Sequence, residues 1–133
     1  MENGKFFIAM RIIGNVIWIL FGGFVMAVEY LVGGVLLCCT LIGIPFGWQV
    51  FKIGLLALLP FGQTTVVEGG SRSCLAVVMN VLWFFIGGIW IALSHLLWGL
   101  LFCITVVGIP FGLQHFKLMR VALFPFGRVV VPA

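Results

Sequence analysis

The chain repeats itself, and this duplication constrains its fold more than any other feature. Residues 15–62 align without a gap onto residues 80–127 at a constant offset of 65, and 24 of the 48 aligned positions are identical. Both copies carry the string Gly-Ile-Pro-Phe-Gly, at residues 43–47 and again at 108–112. Because one such unit cannot bury its own apolar face, repeated units stack on each other. We therefore expect two equivalent halves within a single domain spanning residues 1–133.

The composition places both copies in a lipid bilayer. Hydrophobic residues make up 64% of the chain and charged residues 8%, whereas about 25% of a soluble domain is charged. Four apolar runs approach the roughly 20 residues that a helix needs to cross a membrane. The sequence predicts an all-α integral membrane protein with four transmembrane helices, two in each copy. The predicted spans are residues 6–28, 30–48, 74–93 and 95–113.

The distribution of positive charge predicts the topology. With two spans per copy, all seven Lys and Arg residues lie on one side, and the opposite turns hold only Glu29 and Ser94-His95. The positive-inside rule then makes the repeats parallel, with the N-terminus, the C-terminus and the linker at 68–73 in the cytoplasm. On this topology His95 and His115 lie at opposite membrane faces and share no ligand sphere. The seven cations are Lys5, Arg11, Lys52, Arg72, Lys117, Arg120 and Arg128.

A proline and two glycines are expected to break the second span of each copy. Proline removes a backbone donor, and flanking small residues let another backbone approach closely. The break has two interpretations: a gate that faces an ion or substrate, or, as we favour, a bend into an interfacial segment at 53–59 and 116–124. Short β-prone runs at 64–67 and 129–131 follow and are predicted to pair. The residues of the break are Thr40, Gly43, Pro45, Gly47, Thr105, Gly108, Pro110 and Gly112.

Few other polar residues suggest a site. Asn15 and Asn80 are equivalent residues deep in the first spans, where they would line a polar path or hydrogen-bond between helices. Lys52, Lys117 and Arg120 are candidates for contact with anionic lipid or an anionic substrate, although positive charge that only sets the topology explains them equally.

Several classes of protein have no support in this chain. It shows no nucleophile with a base, no paired carboxylates, no phosphate-binding loop and no metal-ligand spacing, so we expect neither an enzyme nor a cofactor or metal site. Cys38 and Cys103 are equivalents inside predicted spans, which indicates apolar packing. Seven scattered cations form no patch for nucleic acid.

The doubled motif resembles that of a known family. Ile-Gly-Ile-Pro-Phe-Gly at 42–47 and Val-Gly-Ile-Pro-Phe-Gly at 107–112 are each followed by Gln, Phe-Lys and Pro-Phe-Gly, as in the YccF family of small bacterial inner-membrane proteins. The resemblance covers residues 12–130 and implies an inner-membrane protein built from two YccF units, without implying an activity.

Two hypotheses for function follow. The first is a passive channel or transporter for ions or small solutes, lined or gated by the Asn pair, the Thr pair and the Pro/Gly breaks. It would be a homo-oligomer, because four helices leave little room for a pore. The second is a structural or accessory membrane module that packs with a partner or binds anionic lipid.

Overall fold

A computed structural model describes residues 2–70 and 73–133, and it gives both copies the same succession of elements. The first copy comprises α1 (Glu2–Trp18), a π-helical segment (Ile19–Gly23), α2 (Phe24–Cys38), α3 (Gly43–Leu58) and β1 (Gln63–Val67). The second comprises α4 (Cys74–Trp83), a π-helical segment (Phe84–Gly88), α5 (Ile89–Cys103), α6 (Ile109–Leu123) and β2 (Arg128–Pro132). A short 3-10 turn, Glu68–Gly70, follows β1, and Ser71 and Arg72 of the predicted linker lie outside the described residues. The predominantly helical fold is confirmed.

The predicted outer turns are wrong. α2 and α5 run without a break through Glu29 and Ser94. The Ser94 hydroxyl donates to the Glu29 carboxylate at 3.0 Å, so this polar pair is satisfied between two helices and needs no turn in water. Two helical segments, 2–38 and 74–103, are long and apolar enough to cross a membrane. The first of them is kinked at Phe21 and Gly22, whose backbone angles are not helical. The boundaries of the four predicted spans therefore do not match the helices.

The chain reverses at 39–42 and 104–108 instead. Thr40 Oγ1 donates to the Leu37 carbonyl at 2.9 Å and accepts from the Gly43 amide at 3.0 Å, and Thr105 makes the equivalent bonds. Pro45 then lies in the first turn of α3, where a helix does not use the missing N–H. The predicted second spans are therefore interrupted, but at 39–42 and 104–108, before the prolines rather than at them. The predicted interfacial segments, 53–59 and 116–124, fall largely within the second halves of α3 and α6.

Glycines hold each pair of helices in a close hairpin. A Cβ atom on Gly47 would lie 2.7 Å from the Gly34 carbonyl oxygen, and one on Gly112 would lie 2.8 Å from that of Gly99. No side chain fits in these gaps, so the backbones of α2 and α3, and of α5 and α6, are in direct contact. Small residues permit such packing in membranes.

A two-stranded sheet joins the two copies. β1 and β2 are antiparallel, from Gln63 opposite Pro132 to Val67 opposite Arg128, which confirms the predicted pairing. At the middle of the sheet Thr65 lies opposite Val130. The sheet thus connects the C-terminal ends of the two hairpins.

Candidate functional site

Equivalent residues of the two copies meet at three places. Tyr30 contacts His95 and Glu29 contacts Ser94, each pair 65 positions apart, and Thr65 lies opposite Val130 in the sheet. Two copies touch through equivalent residues only where the symmetry axis that relates them passes. A pseudo-two-fold axis therefore runs through the sheet and through the contact between α2 and α5.

A buried polar cluster lies on this axis and consists of Tyr30, His95 and His115, which we call the axial cluster. Tyr30 Oη is 3.1 Å from His95 Nε2, and His95 Nδ1 is 3.0 Å from His115 Nδ1. All three side chains are 0% exposed. The expectation that the histidines lie at opposite membrane faces is therefore wrong. Because α5 continues through His95 and α6 folds back alongside it, the hairpin brings the two rings together.

Aromatic rings enclose the second histidine. The Trp18 ring centroid lies 4.1 Å from that of His115, and Phe102 and Trp98 lie 5.6 and 6.3 Å away. Trp18 is itself fixed, because its Nε1 donates to the Ala57 carbonyl at 2.7 Å. These contacts fill the centre of the molecule with side chains.

The axial cluster forms one hydrogen-bond chain that can run in either direction. If Tyr30 donates to His95, then His95 donates to His115; the reverse order is equally consistent with the three heavy-atom positions. In both cases His115 Nε2 has no hydrogen-bond partner among the described residues. A buried polar group in a membrane protein is costly unless it is paired, so the cluster is the most chemically distinctive part of the core.

The two asparagines bind the backbone of their own copies. Asn15 Oδ1 accepts from the Phe61 amide at 2.9 Å, and Asn15 Nδ2 donates to the Phe61 carbonyl at 3.2 Å. Asn80 makes the same two bonds to Phe126, at 2.9 and 3.1 Å. Each amide therefore anchors the Pro-Phe-Gly turn that follows α3 or α6. These hydrogen bonds link no asparagine to its equivalent.

The three candidate cations have different environments. Lys117 Nζ donates to the Gln63 carbonyl at 2.9 Å and to the Pro60 carbonyl at 3.4 Å, and partial burial lowers the pKa of Lys117. Lys52 and Arg120 are exposed. Lys117 and Arg120 line one pocket, whereas Lys52 lines another on the first copy.

Sequence reasoning missed the axial cluster although one signal was present. Positions 30 and 95 are equivalent in the duplication, and each holds a side chain with both polar and aromatic character. The turn predicted at Glu29 placed them at the membrane surface, where a tyrosine or histidine needs no partner.

An apolar surface around a polar, aromatic centre defines an integral membrane protein made of two fused helical-hairpin units. The chain belongs to the YccF family, whose model, described as an inner membrane component domain, matches residues 13–63 and 78–128. It is 28% identical over 130 residues to the inner membrane protein YccF of Escherichia coli K12, covering 92% of this chain and 88% of that protein. The inner membrane protein YccF of Shigella flexneri gives the same values. No solved structure matches significantly.

Proposed function

We propose that this inner-membrane protein is a non-conducting structural module, held in the bilayer by its two apolar hairpins. The observation that carries this proposal is the packed centre. Five large side chains on and beside the pseudo-two-fold axis are at most 1% exposed: Trp18, Trp83, Tyr30, His95 and His115.

A pore along the axis would have to displace this packing. Tyr30, His95 and one ring nitrogen of His115 hydrogen-bond to each other, and aromatic rings cover His115, whereas a conducting path needs polar groups that face water or the permeant ion. A channel built from this chain would therefore have to lie between copies in a homo-oligomer.

The two hairpin turns favour a position inside the bilayer. Leu41 and Ile42 are 88% and 75% exposed, and Val106 and Val107 are 84% and 83% exposed. Removing one such side chain from water is worth about 1.5–3 kcal/mol, so the four together favour contact with acyl chains.

The sheet end of the molecule is where positive charge accumulates. Lys52, Lys117, Arg120 and Arg128 line the two pockets that border the strands. The positive-inside rule then favours a cytoplasmic position for the sheet and both termini. In this position the module presents cations to lipid headgroups or to a partner.

Ion flux into liposomes tests the proposal. Purified protein is reconstituted, and uptake of potassium, sodium and chloride is compared with uptake into protein-free vesicles at matched lipid content. We expect no difference for any of the ions. Flux of any of these ions above the protein-free level would support a channel instead.

A further inference from the structure

A pocket between β1 and α6 collects positive charge. It has a volume of about 460 Å³, within the range of about 300–1,000 Å³ usual for ligand sites. Three of its lining residues are cations and none is a carboxylate. We call it the cationic pocket, and its lining residues are Thr64, Thr65, Leu113, Phe116, Lys117, Arg120, Val121 and Arg128.

The same position in the first copy carries less positive charge. Lys52 is the equivalent of Lys117, but Leu55 stands in place of Arg120 and Gln63 in place of Arg128. The pocket that contains these three residues is also lined by Arg128 and Glu68, so it holds two cations and one carboxylate. The two pockets lie at equivalent positions of the two copies but differ in charge. Lys117, Arg120 and Arg128 occur together only in the second pocket.

The cationic pocket changes from apolar to charged along α6. Leu113, Phe116, Lys117 and Arg120 are spaced i, i+3, i+4 and i+7, so they share one helix face. Leu113 lies toward the apolar hairpin turn at 104–108, and Arg120 lies toward the sheet. This order of chemistry matches a phospholipid, whose acyl chains lie deeper in the bilayer than its phosphate.

Two of the three cations are held in place before any ligand arrives. Arg128 donates from Nε to the Phe124 carbonyl at 2.9 Å and from an Nη to Thr65 Oγ1 at 3.2 Å. Lys117 is positioned by two backbone carbonyls. Three like charges around one pocket repel each other, and an anion between them would offset that repulsion through charge-assisted hydrogen bonds.

We propose that the cationic pocket binds the phosphate of an anionic phospholipid, with an acyl chain along Phe116 and Leu113. This inference rests on the bilayer position given under Proposed function, in which the sheet lies at headgroup level, but not on the absence of conduction.

The probe is phosphatidylglycerol, with phosphatidylcholine as the zwitterionic comparison. Lipid bound to the delipidated protein in detergent is measured by native mass spectrometry across a titration of each lipid. We expect the wild type to bind phosphatidylglycerol more tightly than phosphatidylcholine. In Arg120→Leu, which copies the first repeat, that affinity should fall about tenfold, since a charged hydrogen bond contributes roughly that factor. Lys52→Gln, the matched control on the other copy, should bind as the wild type does.

Two further measurements separate loss of the site from loss of the fold. Size exclusion establishes that Arg120→Leu is folded, and Leu55→Arg, which adds the missing cation to the first copy, should increase phosphatidylglycerol binding. Equal affinities of wild type and Arg120→Leu, or an equal loss in Lys52→Gln, would overturn the site. Competition by inorganic phosphate at the same concentration would show a site for free phosphate and would also overturn the lipid assignment. Ion flux in liposomes would contradict the proposed function and leave these outcomes unchanged.

Discussion

Tyr30 and His95 occupy the same position in the two copies, and they hydrogen-bond to each other across the pseudo-two-fold axis, Oη to Nε2, at 3.1 Å. This contact forms because the two equivalent positions hold different polar side chains. A tyrosine and a histidine are complementary as donor and acceptor. A specific hydrogen bond between the two copies thus lies on the axis.

Tyr30→Phe should destabilise the protein. Loss of the hydroxyl leaves His95 Nε2 buried without its partner, which costs about 1–3 kcal/mol. Reversible unfolding in mixed micelles measures this loss. Trp90→Phe, at a side chain that is 65% exposed, is the control and should change stability by less than about 0.5 kcal/mol. Equal effects of the two variants would show that the axial contact does not stabilise the fold.

Replacing either asparagine by leucine should weaken the fold. Each change leaves a Phe amide and carbonyl without their side-chain partner, at a cost of about 1–3 kcal/mol. We expect Asn80→Leu to cost more than Asn15→Leu, because Asn80 is 3% exposed and Asn15 is only half-buried. The same unfolding assay applies. Unchanged stability in both variants would contradict the anchoring role.

A methyl group at the hairpin turn should not be tolerated. A Cβ atom on Gly43 would collide with the Leu37 carbonyl, so Gly43→Ala should destabilise by about 2 kcal/mol or more. Gly4→Ala is the matched control, because nothing lies within 4 Å of the added atom, and it should be neutral or stabilising by up to about 1 kcal/mol. Melting in detergent compares the two, and similar melting temperatures would mean that the turn is not close-packed.

Cysteine labelling tests the orientation in the membrane. In a cysteine-free background, Glu68→Cys should react with an impermeant maleimide only after spheroplasts are opened, since the sheet end faces the cytoplasm. Leu41→Cys should stay unlabelled in both conditions, because its hairpin turn lies among acyl chains. Labelling of Glu68→Cys in intact spheroplasts would reverse the proposed topology.

The sequence predicted those features that depend on composition and repetition. The offset of 65, the helical character and the pairing of 64–67 with 129–131 all follow from local residue type and from the duplication. The position of the turns did not follow, because a lone carboxylate such as Glu29 reads as a surface residue until its partner is known. Ser94 provides that partner from the other copy, and a hydropathy pattern does not predict contacts between copies.

The sequence does not predict the axial cluster, for the same reason that it misplaces the turns. With a turn at Glu29, Tyr30 and His95 became surface residues, and His115 had no neighbour on the same side. Pro45 was misplaced for a related reason. A proline in an apolar run looks like a break in a helix, but the Thr40 hydroxyl had already ended the preceding helix and begun the next.

The most direct test of the packed centre on the pseudo-two-fold axis is the hydrogen bond between the two histidines. The chain contains two histidines, so ¹⁵N-histidine labelling gives a spectrum of two imidazoles only. We expect a through-hydrogen-bond coupling between Nδ1 of His95 and Nδ1 of His115, with the shared proton protected from exchange with water. Two uncoupled rings whose protons exchange as fast as those of free imidazole would contradict it.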